Sequence, residues 1–356
     1  AEDSMGRLGL TISTVRHAVV GMGCVFWGIT TPGPWAQPAG DPIVISGSST
    51  VGPITEMAIK GFQGTARGKT VRFGRVVENG TSAGFREFCS GKTAISNASR
   101  PINSKELAAC KAAGVSFYEL PIGFDAITVV VHPSNTWARD ITVGELKKLW
   151  SRTAQNKVMR WNQVRTSWPA QPIKLFSPGR DSGTFDYFTK AITGEQGNSR
   201  VDTISSENDN VLVKGVANSG LGMGYFGFAY YQGNANKLRA LPIVGPKGKV
   251  QPSVKTVQNE TYQPLSRPMF IYVNARQMAA KAPLRNFVEY MLRNASEIVE
   301  KGGSVPLSDM QYLLVENKLF RQVQGSAFGG DLPIGLTLGE LLNRSIDQNK
   351  RPEFRL

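Results

Sequence analysis

Residues 177–184 read SPGRDSGT and run straight into FDYFTKAI. Small residues, hydroxyls, backbone N–H groups and a guanidinium packed this closely are the ingredients of an oxyanion cradle. Three further loops share the composition: SGSSTVGP (46–53), ENGTSAG (78–84) and NASRP (97–101). All four stand at the ends of strand-like runs, and three precede a helix-like segment directly or closely. A helix N-terminus carries free N–H groups and a partial positive charge, so it can hold an oxyanion without a metal. Ser or Thr at the cap adds hydroxyl donors, and Gly lets the backbone approach closely. One such loop alone is most simply an N-cap. Four at strand–helix junctions make a stronger case, because an α/β sheet gathers those ends in one crevice. Micromolar affinity needs about 8 kcal/mol. Five or six charge-assisted hydrogen bonds of roughly 1.5–3 kcal/mol each reach that figure after desolvation and ordering costs.

Catalytic alternatives find little support. GMGYFG (222–227) fits the spacing GxGxxG, but it lies within and after a strand-like run with Tyr and Phe inside it, and reads as a buried turn. GKT at 91–93 resembles the end of a phosphate-binding P-loop, yet Arg86 stands where that loop requires Gly. The two histidines are His17 and His132. A Ser-His-Asp triad would depend wholly on His132, at a strand end before Pro133. No His, Cys and carboxylate group has metal-ligand spacing, so neither a metal nor another cofactor is expected.

The elements that must position these loops follow from periodicity. PIVISGSS (42–49), KTVRFGRV (69–76), TAISNAS (93–99), VSFYEL and FDAITVVVHP (124–133) read as strands. PITEMAIKGFQ, SAGFREFCSG (82–91), NSKELAACKAAG (103–114), ITVGELKKLW, TFDYFTKAI, NDNVLVKGVANS, PLRNFVEYMLRNASEIVEKG and SDMQYLLVENK read as helices. The alternation predicts an α/β architecture with largely parallel sheets. FDAITVVVHP and RPMFIYVNA (267–275) are placed to cross between two lobes: 41–126 plus 272–356, and 127–271. Paired crossovers let two lobes close as a hinge around a ligand. The tail from about residue 325 reads as an appendage with one short helix.

The N-terminal region differs from the rest. From Met5, Arg7 and Arg16 precede an apolar stretch at Ala18–Ile29 and a Pro/Gly/Ala-rich segment, the layout of a secretory signal peptide. Residues 1–40 are read as that signal with a short extension before it. No run of about 18 or more apolar residues predicts a membrane span. Cys24 falls inside the signal, and a lipid anchor on it is not expected because GMG lacks the usual Leu. Cys89 and Cys110 remain, either as a disulfide in an oxidising compartment or as two buried thiols. The formal net charge is +14, and it survives loss of 1–40, which removes two basic and two acidic residues. Such a field draws small anions, nucleic acid or acidic surfaces alike. The basic residues are scattered rather than striped with aromatics, so nucleic acid is not the expected partner.

Taken together, GSSTVGPITEMAIKGF, ENGTSAGFREFCSG, ISNASRPIN, SPGRDSGTFDYFTKAI and NDNVLVKGVANSGLGMGYFGFAYY resemble the phosphate-binding proteins of bacterial phosphate ABC transporters, their cyanobacterial-type branch especially. The resemblance covers nearly all of 41–320. It implies a two-lobed periplasmic-binding-protein (type II) fold with two crossover strands as hinge. It also implies a monomer in the periplasm that captures inorganic phosphate and hands it to membrane permease subunits, without catalysis. Matched by motif, Ser49, Thr50, Val51, Thr81, Ser82, Ser99, Arg100, Arg180, Ser182, Gly183 and Thr184 form the phosphate site. Arg180 or Arg100 supplies the charge in that scheme, and Asp181 orients Arg180. Where the best-known relatives hold an aspartate, this chain has Ser99 and Arg100. A carboxylate accepts the proton of hydrogen phosphate and repels sulfate, whereas Ser99 can donate as well as accept. Another tetrahedral oxyanion, sulfate or arsenate, is therefore the first alternative ligand. A phosphoester hydrolase and a protein that binds anionic surfaces are the others.

Overall fold

The computed structural model describes residues 40–347. The segment read as a signal peptide, with Cys24 and His17, lies outside the described residues. The strands are β1 (Ile45–Gly47), β2 (Ile95–Ala98), β3 (Phe117–Val131), β4 (Ile141–Thr142), β5 (Lys174–Pro178), β6 (Ile204–Ser206), β7 (Gly222–Gly227), β8 (Arg239–Ala240), β9 (Ile243–Gly245), β10 (Gly248–Val250) and β11 (Ser266–Asn274). The helices are α1 (Gly52–Gln63), α2 (Thr81–Cys89), α3 (Ser104–Ala112), α4 (Val143–Trp150), α5 (Gly183–Thr193), α6 (Asp209–Ala217) and α7 (Phe228–Gln232). They continue with α8 (Val254–Gln258), α9 (Ala275–Ala280), α10 (Ala282–Arg293), α11 (Ala295–Lys301), α12 (Asp309–Phe320) and α13 (Leu338–Asp347).

The principal sheet runs β1-β2-β11-β3-β7-β5-β6, with β8 added to β3. Its two wings, β1–β2 and β7–β5–β6, are internally parallel. The centre is not: β11 is antiparallel to both β2 and β3, and β3 is antiparallel to β7. A strand returning between lobes must run against the strand that went out, so the expectation of parallel sheets holds for the wings alone.

All fifteen residues of β3 are buried. The strand changes neighbours midway: Phe117–Ala126 pair with β11, and Ile127–Val131 pair with β7. Pro121 interrupts the ladder, and the register shifts between Met269 and Phe270 opposite it, as a residue without an N–H requires. All nine residues of β11 pair with the Phe117–Ala126 half of β3. One lobe is built on β1, β2, β11 and the first half of β3, the other on β5, β6, β7 and the second half of β3.

Local signals account for most elements. Capping boxes open α3 at Asn103 with Glu106 and α4 at Thr142 with Glu145, each satisfying two otherwise free N–H groups. The run 69–76 does not become a strand; Phe73, and Val77 just beyond the run, form isolated bridges to Ile43 and Ser46. GMGYFG is not a turn but β7, where absent side chains let Phe176 pack against Gly222 and Gly224. The run 283–302 divides at Asn294 into α10 and α11. Cys89 and Cys110 form a disulfide joining α2 to α3.

Candidate functional site

The parallel wings aim the C-terminal ends of β1, β2, β5 and β6 at the seam between the lobes, where loops of an open α/β sheet gather. The sequence folds this way locally because small hydroxyl residues follow each strand. Ser48–Thr50 follow β1, Ser99 and Arg100 follow β2, and Gly179–Ser182 follow β5. The first and last of these lead into helices of twelve and eleven residues, α1 and α5. Thr81 opens α2.

Four hydroxyls from the two lobes converge. Thr50 Oγ1 lies 3.2 Å from Thr184 Oγ1, and Thr81 Oγ1 lies 3.3 Å from Ser99 Oγ. Ser99 N–H donates to Thr81 Oγ1 at 3.2 Å. Gly183 sits between the two pairs. A Cβ there would lie 2.5 Å from Thr81 Oγ1 and 2.6 Å from Ser99 Oγ, so only glycine permits this approach. Ser182 caps α5, its Oγ accepting from Thr184 N at 3.0 Å and Phe185 N at 3.4 Å. Its lone pairs are thereby engaged, and its own proton is left to donate.

The cation at this cluster is Arg267, at the start of β11. Its Nη2 donates to Thr184 Oγ1 at 2.8 Å and to Thr50 Oγ1 at 3.2 Å. Nε and Nη2 both donate to Asp125 Oδ2, at 3.0 and 2.8 Å, and Nη1 donates to Ser99 O at 3.3 Å. The other Asp125 oxygen accepts from Phe228 N at 2.9 Å. Arg267 and Asp125 are both fully buried. Nη1 keeps a second N–H that has no partner among the described residues. The pair is formally neutral, so an anion at this point would be balanced by hydroxyls, by that guanidinium donor and by the N-terminal N–H groups of α1, α2 and α5.

The other sequence-predicted residues go elsewhere. Arg180 is exposed on the turn after β5. Asp181 does not orient it; Asp181 takes both guanidinium nitrogens of Arg86, at 2.7 and 2.8 Å, and that bond holds its carboxyl below the usual range. Arg100 is buried, but Asp186 Oδ2, both Glu106 oxygens, Pro101 O and Ser82 Oγ take its N–H groups. All five donors are thus consumed. Ser82 accepts from Arg100, Ser49 Oγ donates to Asp209 Oδ2 at 3.2 Å, and Val51 N–H closes a turn onto Ser48 O at 3.2 Å. Thr50, Thr81, Ser99, Ser182, Gly183 and Thr184 are brought together; Ser49, Val51, Ser82, Arg100 and Arg180 are not. Sequence reasoning missed Arg267 and Asp125. The signal was an isolated charge within each apolar crossover strand.

Around the cluster the lobes are held shut. Ser82 N donates to Asp181 O at 2.9 Å, Tyr230 Oη donates to Ser49 O at 2.9 Å, and the Arg86–Asp181 pair spans the same seam. Gly80 has a φ of 91°, and a Cβ there would lie 2.5 Å from Asp181 O. Two acids lie close by. Burial pushes Asp209 up to about 7 despite the bond from Ser49, and burial likewise pushes Glu207 to about 7. His132, by contrast, has Nδ1 2.7 Å from Ser134 Oγ at an exposed position. Among the described residues no three His, Cys, Asp or Glu side chains group to hold a metal, and no helix is long and apolar enough to cross a membrane.

Comparison with known proteins extends this geometry. Residues 33–295 match the model of the PBP superfamily domain. Protein SphX of Synechocystis sp. is 46% identical over 335 residues, 94% of this chain and 98% of that protein. Phosphate-binding protein PstS of Staphylococcus saprophyticus is 33% identical over 274 residues, 77% of this chain and 82% of that protein. Among solved structures, a possible phosphate binding protein from Planctomyces limnophilus is 37% identical with a TM-score of 0.58, over 79% of this chain and 98% of its own. A putative phosphate ABC transporter substrate-binding protein from Clostridium perfringens, solved with bound phosphate, is 25% identical with a TM-score of 0.63, over 75% of this chain and 100% of its own.

Proposed function

We propose, on the premise that the chain belongs to the PBP superfamily and within it to the family of the PstS phosphate-binding proteins, that inorganic phosphate is held between its two lobes at the Thr50–Thr81–Ser99–Thr184–Arg267 cluster. The protein is a substrate-binding component of a phosphate ABC transporter, acting outside the cytoplasm and delivering phosphate to membrane permease subunits. It works as a monomer in the periplasm, after removal of the segment 1–40, and performs no catalysis.

The observation that carries the site is the convergence of hydroxyls from both lobes on one buried guanidinium. Thr50, Thr81 and Ser99 come from one lobe, Ser182 and Thr184 from the other, and Arg267 from the strand returning between them. A tetrahedral anion with four oxygens suits such a shell, since each hydroxyl can turn its proton from a neighbour to an oxygen. Closure then seals the ligand away from water, where charge-assisted hydrogen bonds are strongest.

Sulfate is a second reading, favoured by one observation. Asp125, the carboxylate joined to the cluster through Arg267, is already occupied by that guanidinium and by Phe228 N–H, and Ser99 stands where a free acceptor would exclude a fully deprotonated anion. Calorimetric titration of the anion-stripped protein with phosphate and then sulfate decides. Tight one-to-one phosphate binding with sulfate silent is expected. Sulfate binding as tight as phosphate would transfer the assignment, and silence from both would remove it.

A further inference from the structure

The segment following α12 joins the two lobes by a route separate from the crossover strands. Its first part belongs to the lobe of β1 and β2. Gly325 N donates to Phe117 O at 3.0 Å, and Gly325 bridges Tyr118. The buried Glu119 carboxylate receives Ser326 Oγ at 2.6 Å and Ala327 N at 2.9 Å, together with Tyr272 Oη at 2.9 Å. Phe328 stacks edge-on against Phe270, ring centres 5.6 Å apart.

Its next part reaches the other lobe. Gly335 N donates to Tyr187 Oη at 3.0 Å, and that hydroxyl donates to Ser266 O at 2.8 Å. Tyr187 is fully buried on α5, one turn beyond Thr184. Ser266 immediately precedes Arg267. The segment thus touches the helix and the crossover that carry two members of the anion cluster. Leu336 and Leu341 are buried in the main apolar core, and Leu332 and Ile334 pack against it. Gly325–Phe328 anchor one end on β3 and β11, and Gly335 meets α5 at Tyr187.

We propose that residues 332–341 form a strap that favours the closed arrangement of the lobes and sets how fast a captured anion escapes. This rests on the reading of the seam as an anion cleft. The physical reason is geometric: opening turns α5 away from β3, and a segment fastened to both must give up one attachment. The weaker attachment is the one at Tyr187, a single hydrogen bond with apolar packing, against three hydrogen bonds and a stacked ring at the other end. The strap therefore releases from Tyr187 as the lobes part and re-seats as they close.

Two arms test this. In the first, no ligand is used: small-angle scattering compares the anion-free chain with a variant ending after Asp331. A larger radius of gyration in the shortened chain is expected; equal radii overturn the strap. In the second, stopped-flow release of phosphate is measured in the full-length Leu336→Ala/Leu341→Ala chain. Truncating two buried leucines weakens the packing that seats the strap and gives roughly tenfold faster release with little change in the association rate. An unchanged release rate overturns the proposal. Should either variant fail to fold, hydrogen exchange on the unaltered chain decides. Added phosphate should protect 332–341 while leaving 325–328 as before, and equal behaviour of the two peptides refutes the strap. Failure of the unaltered chain to bind phosphate would sink the cleft assignment instead, which the scattering arm separates from failure of the strap.

Discussion

Replacing Arg267 by Gln tests the central assignment most sharply, because the sequence pointed to Arg180 or Arg100 instead. The substitution removes the donors to Thr50, Thr184 and Ser99 and leaves Asp125 buried without its cation. Two effects weaken anion binding. One charge-assisted hydrogen bond to the ligand is lost, roughly 1.5–3 kcal/mol. The unpaired carboxylate also repels the ligand, by about 3 kcal/mol for unit charges ~5 Å apart at an effective dielectric constant of about 20. Together these predict phosphate binding weaker by at least about a thousandfold. The fold suffers too, because orphaning one partner of a buried ion pair costs about 3–5 kcal/mol. Adding Asp125→Asn should restore much of the thermal stability, since a neutral pair replaces the bare charge, but not the affinity. Calorimetry and thermal unfolding, each with and without phosphate, separate the two effects. Arg180→Gln serves as the comparison and should bind as the parent does, its side chain being exposed. Binding by Arg267→Gln within about threefold of the parent, or a loss in Arg180→Gln of similar size, would refute the reasoning.

Further tests follow from the same geometry. Gly183→Ala puts a methyl against Thr81 and Ser99, and overpacking of about 1–3 kcal/mol predicts roughly tenfold to a hundredfold weaker phosphate binding with an intact circular dichroism spectrum; unchanged affinity would mean the lobes never close to this separation. Thr184→Ala with Ser182→Ala should weaken phosphate binding sharply without unfolding the chain, and equal affinity in that double variant removes the α5 loop from the site. Asp209 has its folded value raised from 3.8 to about 7. Between those limits the folded chain holds a proton that the unfolded chain has released, so stability falls as pH rises through that window and levels off above it. Asp209→Asn should flatten this slope in thermal midpoints measured from pH 4 to 8, leaving the part due to Glu207. An undiminished slope would assign the dependence elsewhere.

The loops and their chemistry were legible because they are local. A cap such as Ser182 on Thr184 N spans two residues, and Asn103 with Glu106 spans three. Residue types within one turn of each other carry that information. The same holds for the α/β alternation and for the two apolar crossovers, whose length and hydrophobicity set them apart. Where the reading failed, it failed at the edges of local rules. GMGYFG reads as a buried turn but is a strand, and the space its glycines leave is filled by Phe176 from another strand. The run 69–76 alternated like a strand and found only isolated bridging partners.

By itself, then, the sequence determined the helix starts, the hydroxyl-rich strand ends and the class of ligand they suit. Tertiary structure alone decided which arginine serves them. Arg180 is adjacent to the cradle in sequence yet faces outward, and Arg100 is spent on Asp186 and Glu106. Arg267 reaches Thr50 across a separation of 217 residues. Capping is settled within a turn of backbone, where spacing fixes geometry. A long guanidinium side chain is committed by whichever carboxylates and hydroxyls the packed sheet delivers to its tip. That depends on strand order and lobe closure, which no stretch of neighbouring residues encodes.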